Sequence, residues 1–373
     1  MSANRRPAFP PSHPVRYTPA LDPVGANGTK IAAEIAEAML SVARTTFANS
    51  GHAIRSVHAK SHGLLKAELE VPSGLPPQLA QGVFARPGRY PVVMRFSTIP
   101  GDLLPDSVST PRGVAIKLLG VEGKRLEGSE HATTQDFILV NAPTFPTKNA
   151  KAFLSNLKLI AATTDRMEAA KIALSATARA VDTVAKAFGG SAGALRALGG
   201  EPPNNILGET FWSQLPLRFG DHIAKLQLVP FSPNLLALTG QPLDLGDGPN
   251  VIRQAMLDFF QTNTATWELG AQLAPDLDDT PIADPTVEWK EDITPFATVA
   301  RITARAQLSW SKPRSTAIDD GMGFSPWHGI EAHRPLGQMM RIRKLAYAAS
   351  QEFRTARNQT PVREPTSLDE IPD

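Results

Sequence analysis

The sequence contains no cysteine. That absence removes disulfides, zinc–thiolate sites, thiol peroxidases and thiolate-ligated metal centres together. Aromatics are scarce at 6%, and only three are tyrosines: Tyr17, Tyr90 and Tyr347. Neither sign of charge dominates, since 38 Lys and Arg stand against 36 Asp and Glu for a net charge of +2. This balance argues against a general nucleic-acid binder, which needs a basic stripe. No apolar run approaches the roughly 18 residues needed to cross a bilayer. Arg5 and Arg6 are followed by no apolar segment of the kind a secretory signal requires. A cytoplasmic location is therefore expected.

What is present is enough apolar material, 42% of 373 residues, for a sizeable core, in one large domain or two to three ordinary ones. The 33 prolines imply much irregular chain. Residues 1–27 read as a Pro-rich arm. Residues 28–50 carry Ile31, Ile35, Met39, Leu40 and Val42 on or near one helical face. From about 54 to 142 the texture is of short strands between Gly/Pro turns: IRSVHAK, LLKAELEV, RYPVVMRFST, RGVAIKLLGV and QDFILVN. Residues 148–200 read as Ala-rich helices, including Met167–Phe188. Strand texture returns in FWSQLPLRFG, IAKLQLVPF, ATWELGAQL and ATVARITAR. A last helix is expected over about 335–356, followed by a polar tail expected to be mobile. Two strand blocks around a helical block fit either two domains or one barrel with inserted helices.

Three clusters carry chemical interest. The first is Arg55-Ser56-Val57-His58-Ala59-Lys60. The second is Arg95-Phe96-Ser97-Thr98 with Pro111-Arg112-Gly113 to Lys117. Alone, a histidine at a strand start or an arginine within a strand is usually structural. The third is Arg343, Tyr347, Ser350 and Arg354, spaced i, i+4, i+7 and i+11, which lie on one helical face. A solvated amphipathic face would explain that stripe as well as an anionic ligand would. A guanidinium one turn from a phenol favours the phenolate, a hard anionic ligand suited to ferric iron and one of the few that hold haem.

In this order and spacing the clusters resemble the haem catalases. RSVHAK matches the family's R-x-V-H-A-K distal motif. MRFSTIPG and PRGVAIK match its VRFST-x-x-G and PRG-x-A-x-K blocks. RKLAY with Ser350 and Arg354 matches its R-L-F-A-Y proximal motif, and Phe324-Ser325-Pro326 with Gly329-Ile330-Glu331 its lead-in. The similarity spans about 28–355, and three motifs agreeing is specific. The resemblance implies an α+β fold: an antiparallel β-barrel of the haem-catalase type with inserted and flanking helices. The expected domains are an arm (1–27), a haem domain (28–355, helical insertion about 148–202) and a tail (356–373).

The resemblance also implies roles. His58 is the distal acid–base residue, Ser97 its hydrogen-bond partner and Val57 the apolar residue narrowing the approach to iron. Tyr347 is the axial ligand of haem b, and Arg343 its charged partner. Arg55, Arg95 and Arg354 pair with propionates, as charge-assisted arginines suit carboxylates. Phe145 lines the distal pocket, and Ser350 continues the proximal face. One departure stands out. Where the family supplies a distal asparagine, this chain has Ala132-Thr133-Thr134-Gln135, so that hydrogen bond is missing or comes from Thr133 or Gln135. The chain ends soon after the proximal helix, so no nicotinamide-nucleotide site is carried over. The implied activity is cleavage of the O–O bond of hydrogen peroxide or an organic hydroperoxide. A fatty-acid-hydroperoxide-converting enzyme and a haem-binding or sensing protein are the alternatives. The expected partners are a peroxide and a small organic electron donor, with no nucleic acid and no membrane span, in a homo-oligomer.

Overall fold

The computed structural model describes residues 11, 13–23, 28–164 and 201–373. The helix expected over Met167–Phe188, and most of the expected helical insertion, lie outside the described residues, as does much of the arm.

Among the described residues, nine strands form one antiparallel sheet. They are β1 (Ser61–Val71), β2 (Gly88–Thr98), β3 (Arg112–Leu118), β4 (Gln135–Val140), β5 (Phe211–Trp212), β6 (Leu217–Phe219), β7 (His222–Pro230), β8 (Ala265–Leu273) and β9 (Ala297–Ala304). The sheet runs β5-β4-β3-β2-β1-β9-β8-β7-β6. It closes because β5 also pairs with β7, Phe211 opposite Leu228 and Trp212 opposite Gln227. All strands but β6 therefore lie on the ring of a barrel. The two sequence blocks share one wall, since Glu68 of β1 pairs with Thr303 of β9, and the single-barrel expectation holds.

Alternation along the strands sorts the side chains into two sets. Val92, Met94 and Phe96 of β2, Val114, Ile116 and Leu118 of β3, and Phe137 and Leu139 of β4 point inward. There they meet Phe84, Phe211, Phe219, Phe260 and Trp267, all fully buried. Phe84 stacks on Phe219 at 5.6 Å, and Phe96 meets Trp267 at 5.8 Å. Each such side chain contributes roughly 1.5–3 kcal/mol by leaving water. The complementary set, Arg95 and Ser97 of β2, Gly113, Ala115 and Lys117 of β3, and Asp136, Ile138 and Val140 of β4, faces outward.

Outside the barrel, helix α1 (Gly28–Ser50) buries Ala32, Ile35, Ala36, Met39, Val42 and Ala43, the face expected from sequence. It packs against α2 (Ala150–Thr163) and, more extensively, α4 (Gln338–Asn358). A further helix, α3 (Val251–Phe260), covers β1. The last helix starts three residues later than expected, because Gly337 precedes it at φ +88°.

Two expectations are corrected. Residues 54–60 are not a strand: His58 has φ +53°, outside extended geometry, and the chain pairs irregularly, with the His58 and Ala59 amides donating to the Ile99 and Pro100 carbonyls. The tail is seated rather than mobile. Glu364 bonds Lys117, Arg314 donates to the Pro372 carbonyl at 2.9 Å, and Ile371 is 1% exposed in a small outer core with Leu64, Val93, Leu119, Ile318 and Met322. Ile371→Ala should therefore cost about 2–4 kcal/mol, measured by chemical denaturation. A cost near zero would mean that the tail does not pack there.

Candidate functional site

The outward face of β2–β4 forms one wall of the site. Arg95 and Ser97 follow each other at period two, and β3 presents Gly113 and Ala115 beside them, since Arg95 pairs with Ala115 and Ser97 with Gly113. The irregular loop before β1 lays His58 across this wall. His58 Nδ1 lies 3.0 Å from Ser97 Oγ. The ring rests on Gly113, where a Cβ would come within 2.6 Å of His58 Cε1, so any larger residue would displace the histidine.

Helix α4 forms the facing wall. It leans on α1 rather than on the strands. Its stripe behaves as the spacing implies. Arg343 donates to Tyr347 Oη at 3.0 Å, Ser350 Oγ lies 3.1 Å from Ser56 Oγ, and Arg354 donates to the Asp319 carbonyl at 2.7 Å. The end of the helix clasps the loop, as Asn358 exchanges hydrogen bonds with the Ala53 amide and carbonyl at 2.9 and 2.8 Å. These ties fix the His58 loop against α4. Between the walls, His58, Ala115, Ile138, Val140, Arg343, Tyr347 and Ser350 are only half-buried, which is the signature of a cleft. Val57 packs with the apolar cluster of α1, α2 and α4. Phe145 joins that cluster and lies under the Arg343 guanidinium, 5.3 Å from ring centre.

Electrostatics set the state of the histidine. Burial, then Arg95, Arg343 and Arg55, push His58 down to about 3, so it is neutral at physiological pH. The arginines converge on Asp319. Arg95 Nε donates to its carboxylate at 2.7 Å and Arg55 at 3.3 Å. Burial alone would raise that carboxyl, yet Arg95 and Arg55 hold it down to about 2. Arg55 also donates to the carbonyls of Asp319, Ile318 and Met322, so its terminal nitrogens are turned to this segment rather than to the cleft.

The structure brings together Arg55, Val57, His58, Arg95, Ser97, Phe145, Arg343, Tyr347, Ser350 and Arg354. It separates Thr133. His58 sits at Gly113, opposite Val140, whereas Gln135 pairs with Leu118 at the other end of β4. Thr133, beyond that end, is exposed. Gln135 faces inward and accepts from the Ile330 amide. Neither reaches the histidine. The asparagine nearest in register is Asn141, whose side chain is held by Arg112, Glu201 and Glu209. Sequence reasoning missed Asp319 and the supporting role of Gly113. The first has no motif, and the second was visible only as part of PRG.

The fold is that of the catalases. A fungal catalase superposes with a TM-score of 0.58 at 17% identity, over 83% of this chain and 61% of that one. Catalase A from Saccharomyces cerevisiae superposes with a TM-score of 0.58 at 18% identity, over 83% of this chain and 63% of that one. The chain spans about three fifths of the length of these catalases. No protein-family model and no curated protein matches it. Among the described residues no helix is long and apolar enough to cross a membrane.

The left-handed backbone at position 58 gives a direct test of whether this residue is held by its surroundings. Glycine adopts φ +53° without penalty, and alanine does not. His58→Gly should be more stable than His58→Ala by about 1 kcal/mol, compared by urea denaturation. The opposite order would place the loop in another conformation.

Proposed function

We propose that the protein is a haem-dependent peroxidase of the catalase type, which cleaves the O–O bond of hydrogen peroxide or an organic hydroperoxide. The observation that carries this reading is the pairing of two hydrogen-bonded couples on facing walls of one cleft: His58 with Ser97, and Tyr347 with Arg343. A binding or sensing protein has no use for the first couple.

The residues fit haem b. The cleft has His58, seated flat on Gly113, and Ala115 on one side and a phenol on the other. The donor set suits ferric iron, since a phenolic oxygen held by a guanidinium is a hard ligand with its charge compensated. Arg354 Nε, buried and without an acceptor among the described residues, is a donor suited to an anion such as a propionate. Tyr347 would hold the iron through its phenolic oxygen, and Arg95 and Arg354 would hold the carboxylates.

Bound haem supplies the redox centre at which peroxide is reduced. The chain's own contribution is proton movement. With His58 neutral and Nδ1 engaged with Ser97, Nε2 remains to take the proton from one peroxide oxygen and return it to the other, which leaves as water from hydrogen peroxide or as an alcohol from an organic hydroperoxide. Ser97 sets the ring's orientation and tautomer. Val57 and Phe145 keep the approach apolar. The absence of Thr133 and Gln135 from the cleft leaves peroxide with fewer fixed donors, so orientation of a second peroxide is poorer. This favours oxidation of an organic donor over release of oxygen.

Tyr347→Phe should lose most haem or shift its optical spectrum strongly; an unchanged spectrum would refute the ligand assignment. His58→Ala should retain haem and slow the reaction with peroxide by about 10²–10⁴-fold, followed by stopped-flow absorbance. Rapid reaction in that variant would remove His58 from the mechanism.

The pH profile is a further test. The lowered value makes the unfolded chain bind the His58 proton first, so His58 opposes folding progressively as pH falls from about 6.5 toward 3. Above that window the base form is fully present. The rate with peroxide should be flat from about pH 5 to 8, without the limb near 6.5 that an ordinary histidine gives.

A further inference from the structure

Asp319 is the carboxylate on which the arginine edge of the cleft converges. It lies in Thr316–Asp320, a widened π-helical turn that continues the short helix Lys312–Ser315. Such turns are rare and recur where a side chain must be aimed at a functional site. Oδ1 accepts from Arg95 at 2.7 Å and from Arg55 at 3.3 Å. Oδ2 accepts from the Ser61 and Ser315 hydroxyls, both at 2.7 Å. The carbonyl accepts from Arg55 at 2.6 Å and Arg354 at 2.7 Å. The neighbouring Asp320 carboxylate turns to His52 Nε2 at 3.0 Å.

Charge and satisfaction are both incomplete. Three guanidiniums converge on this residue, but only Arg55 and Arg95 meet its carboxylate; Arg354 reaches the backbone carbonyl alone, and the Asp320 carboxylate is engaged by His52. Arg95 is 2% and Arg354 4% exposed, so water does not make up the difference. Arg354 Nε has no acceptor among the described residues. A buried cation with a spare donor marks a place for an anion. Arg55 is used up by the 318–322 segment, and Arg95 donates to Asp319 and to the Ala59 carbonyl at 3.2 Å, which leaves Arg354 Nε as the spare donor, with the charge of Arg95 close enough to repel Arg354 and so to favour an anion beside both.

We propose that Asp319 is a resident counter-ion of this edge, which stabilises the cofactor-free chain and competes there with the carboxylates of the cofactor. The inference rests on the haem reading above. Without cofactor, Asp319 offsets the repulsion among three buried guanidiniums. When a carboxylate arrives at Arg95 and Arg354, Asp319 stays seated by Ser61, Ser315 and Arg55. Its charge then opposes the incoming one across a short, poorly screened distance. The residue that holds the arginines in place thus also weakens the ligand's grip on them.

The experiment titrates cofactor-free protein with haem and, in parallel, with haem dimethyl ester, which lacks free carboxylates, and records melting temperatures before titration. Asp319→Asn should lower the melting temperature of the cofactor-free chain. It should bind haem roughly tenfold more tightly than wild type and bind the ester with unchanged affinity. Ser315→Ala, which loosens the carboxylate without removing it, should shift both quantities in the same direction by less, and it carries the test if Asp319→Asn does not fold. Haem bound no more tightly by the variants, or an equal gain for the ester, would overturn the competition. Failure of wild type and variants alike to bind either ligand would overturn the haem reading itself, and this inference with it.

Discussion

A closed barrel has an inside that must be filled and an outside where chemistry is possible, and period-two alternation decides which residue goes where. In β2 the sequence Met94-Arg95-Phe96-Ser97 sends methionine and phenylalanine into the core and arginine and serine to the outer wall. In β3 Val114 and Ile116 seal the interior while Gly113 and Ala115 leave the outer surface shallow. A slip of one residue in β2 would turn Arg95 into the apolar interior and Phe96 onto the outer wall. The position of the candidate site is therefore a consequence of how the core is packed.

The outer wall then carries charges that would be costly if unpaired. Lys117 is fully buried between Asp136 at 2.6 Å and Glu364, and Arg95 lies against Asp319. Removing one partner of such a pair typically costs about 3–5 kcal/mol, because the other charge is left stranded. This is why segments remote in sequence are drawn in. Glu364 comes from the tail, Asp319 from the connection before α4, and each brings apolar neighbours, Ile371 and Ile318, into the same outer core. Burial keeps His58 neutral, and the arginines that attract Asp319 add to it. One charge cluster thereby ties a loop, a helix and a strand together beside the cleft.

The strands were largely legible from their texture, and the α4 stripe from its spacing, because both are periodic; that the strands close one barrel was implied only by the resemblance. The residues of the distal loop were legible as a motif but not as a conformation. A run of Ile54-Arg55-Ser56-Val57 reads as a strand, and nothing local reveals that His58 turns left-handed to cross Gly113. Thr133 was misplaced because aligning a motif assumes that register follows, whereas hydrogen bonding puts Gln135 at the far end of β4 from the histidine. Asp319 could not be read at all. Its importance comes from three arginines that are separated from it by tens to hundreds of residues and meet only in three dimensions.

Closure of the barrel has a consequence for the order in which the molecule can be made. The hairpins β1–β2, β2–β3 and β3–β4 join neighbouring stretches of chain, so their loop-closure cost is small. The seams are different. Glu68 waits for Thr303, and Val140 waits for Trp212, which itself must find Gln227. During synthesis the wall bearing Arg95, Ser97 and Gly113 is laid down well before the helix bearing Tyr347, which docks back on α1. The cleft is thus assembled from segments made far apart in time. Any molecule it encloses has open access until α4 docks and supplies the second wall.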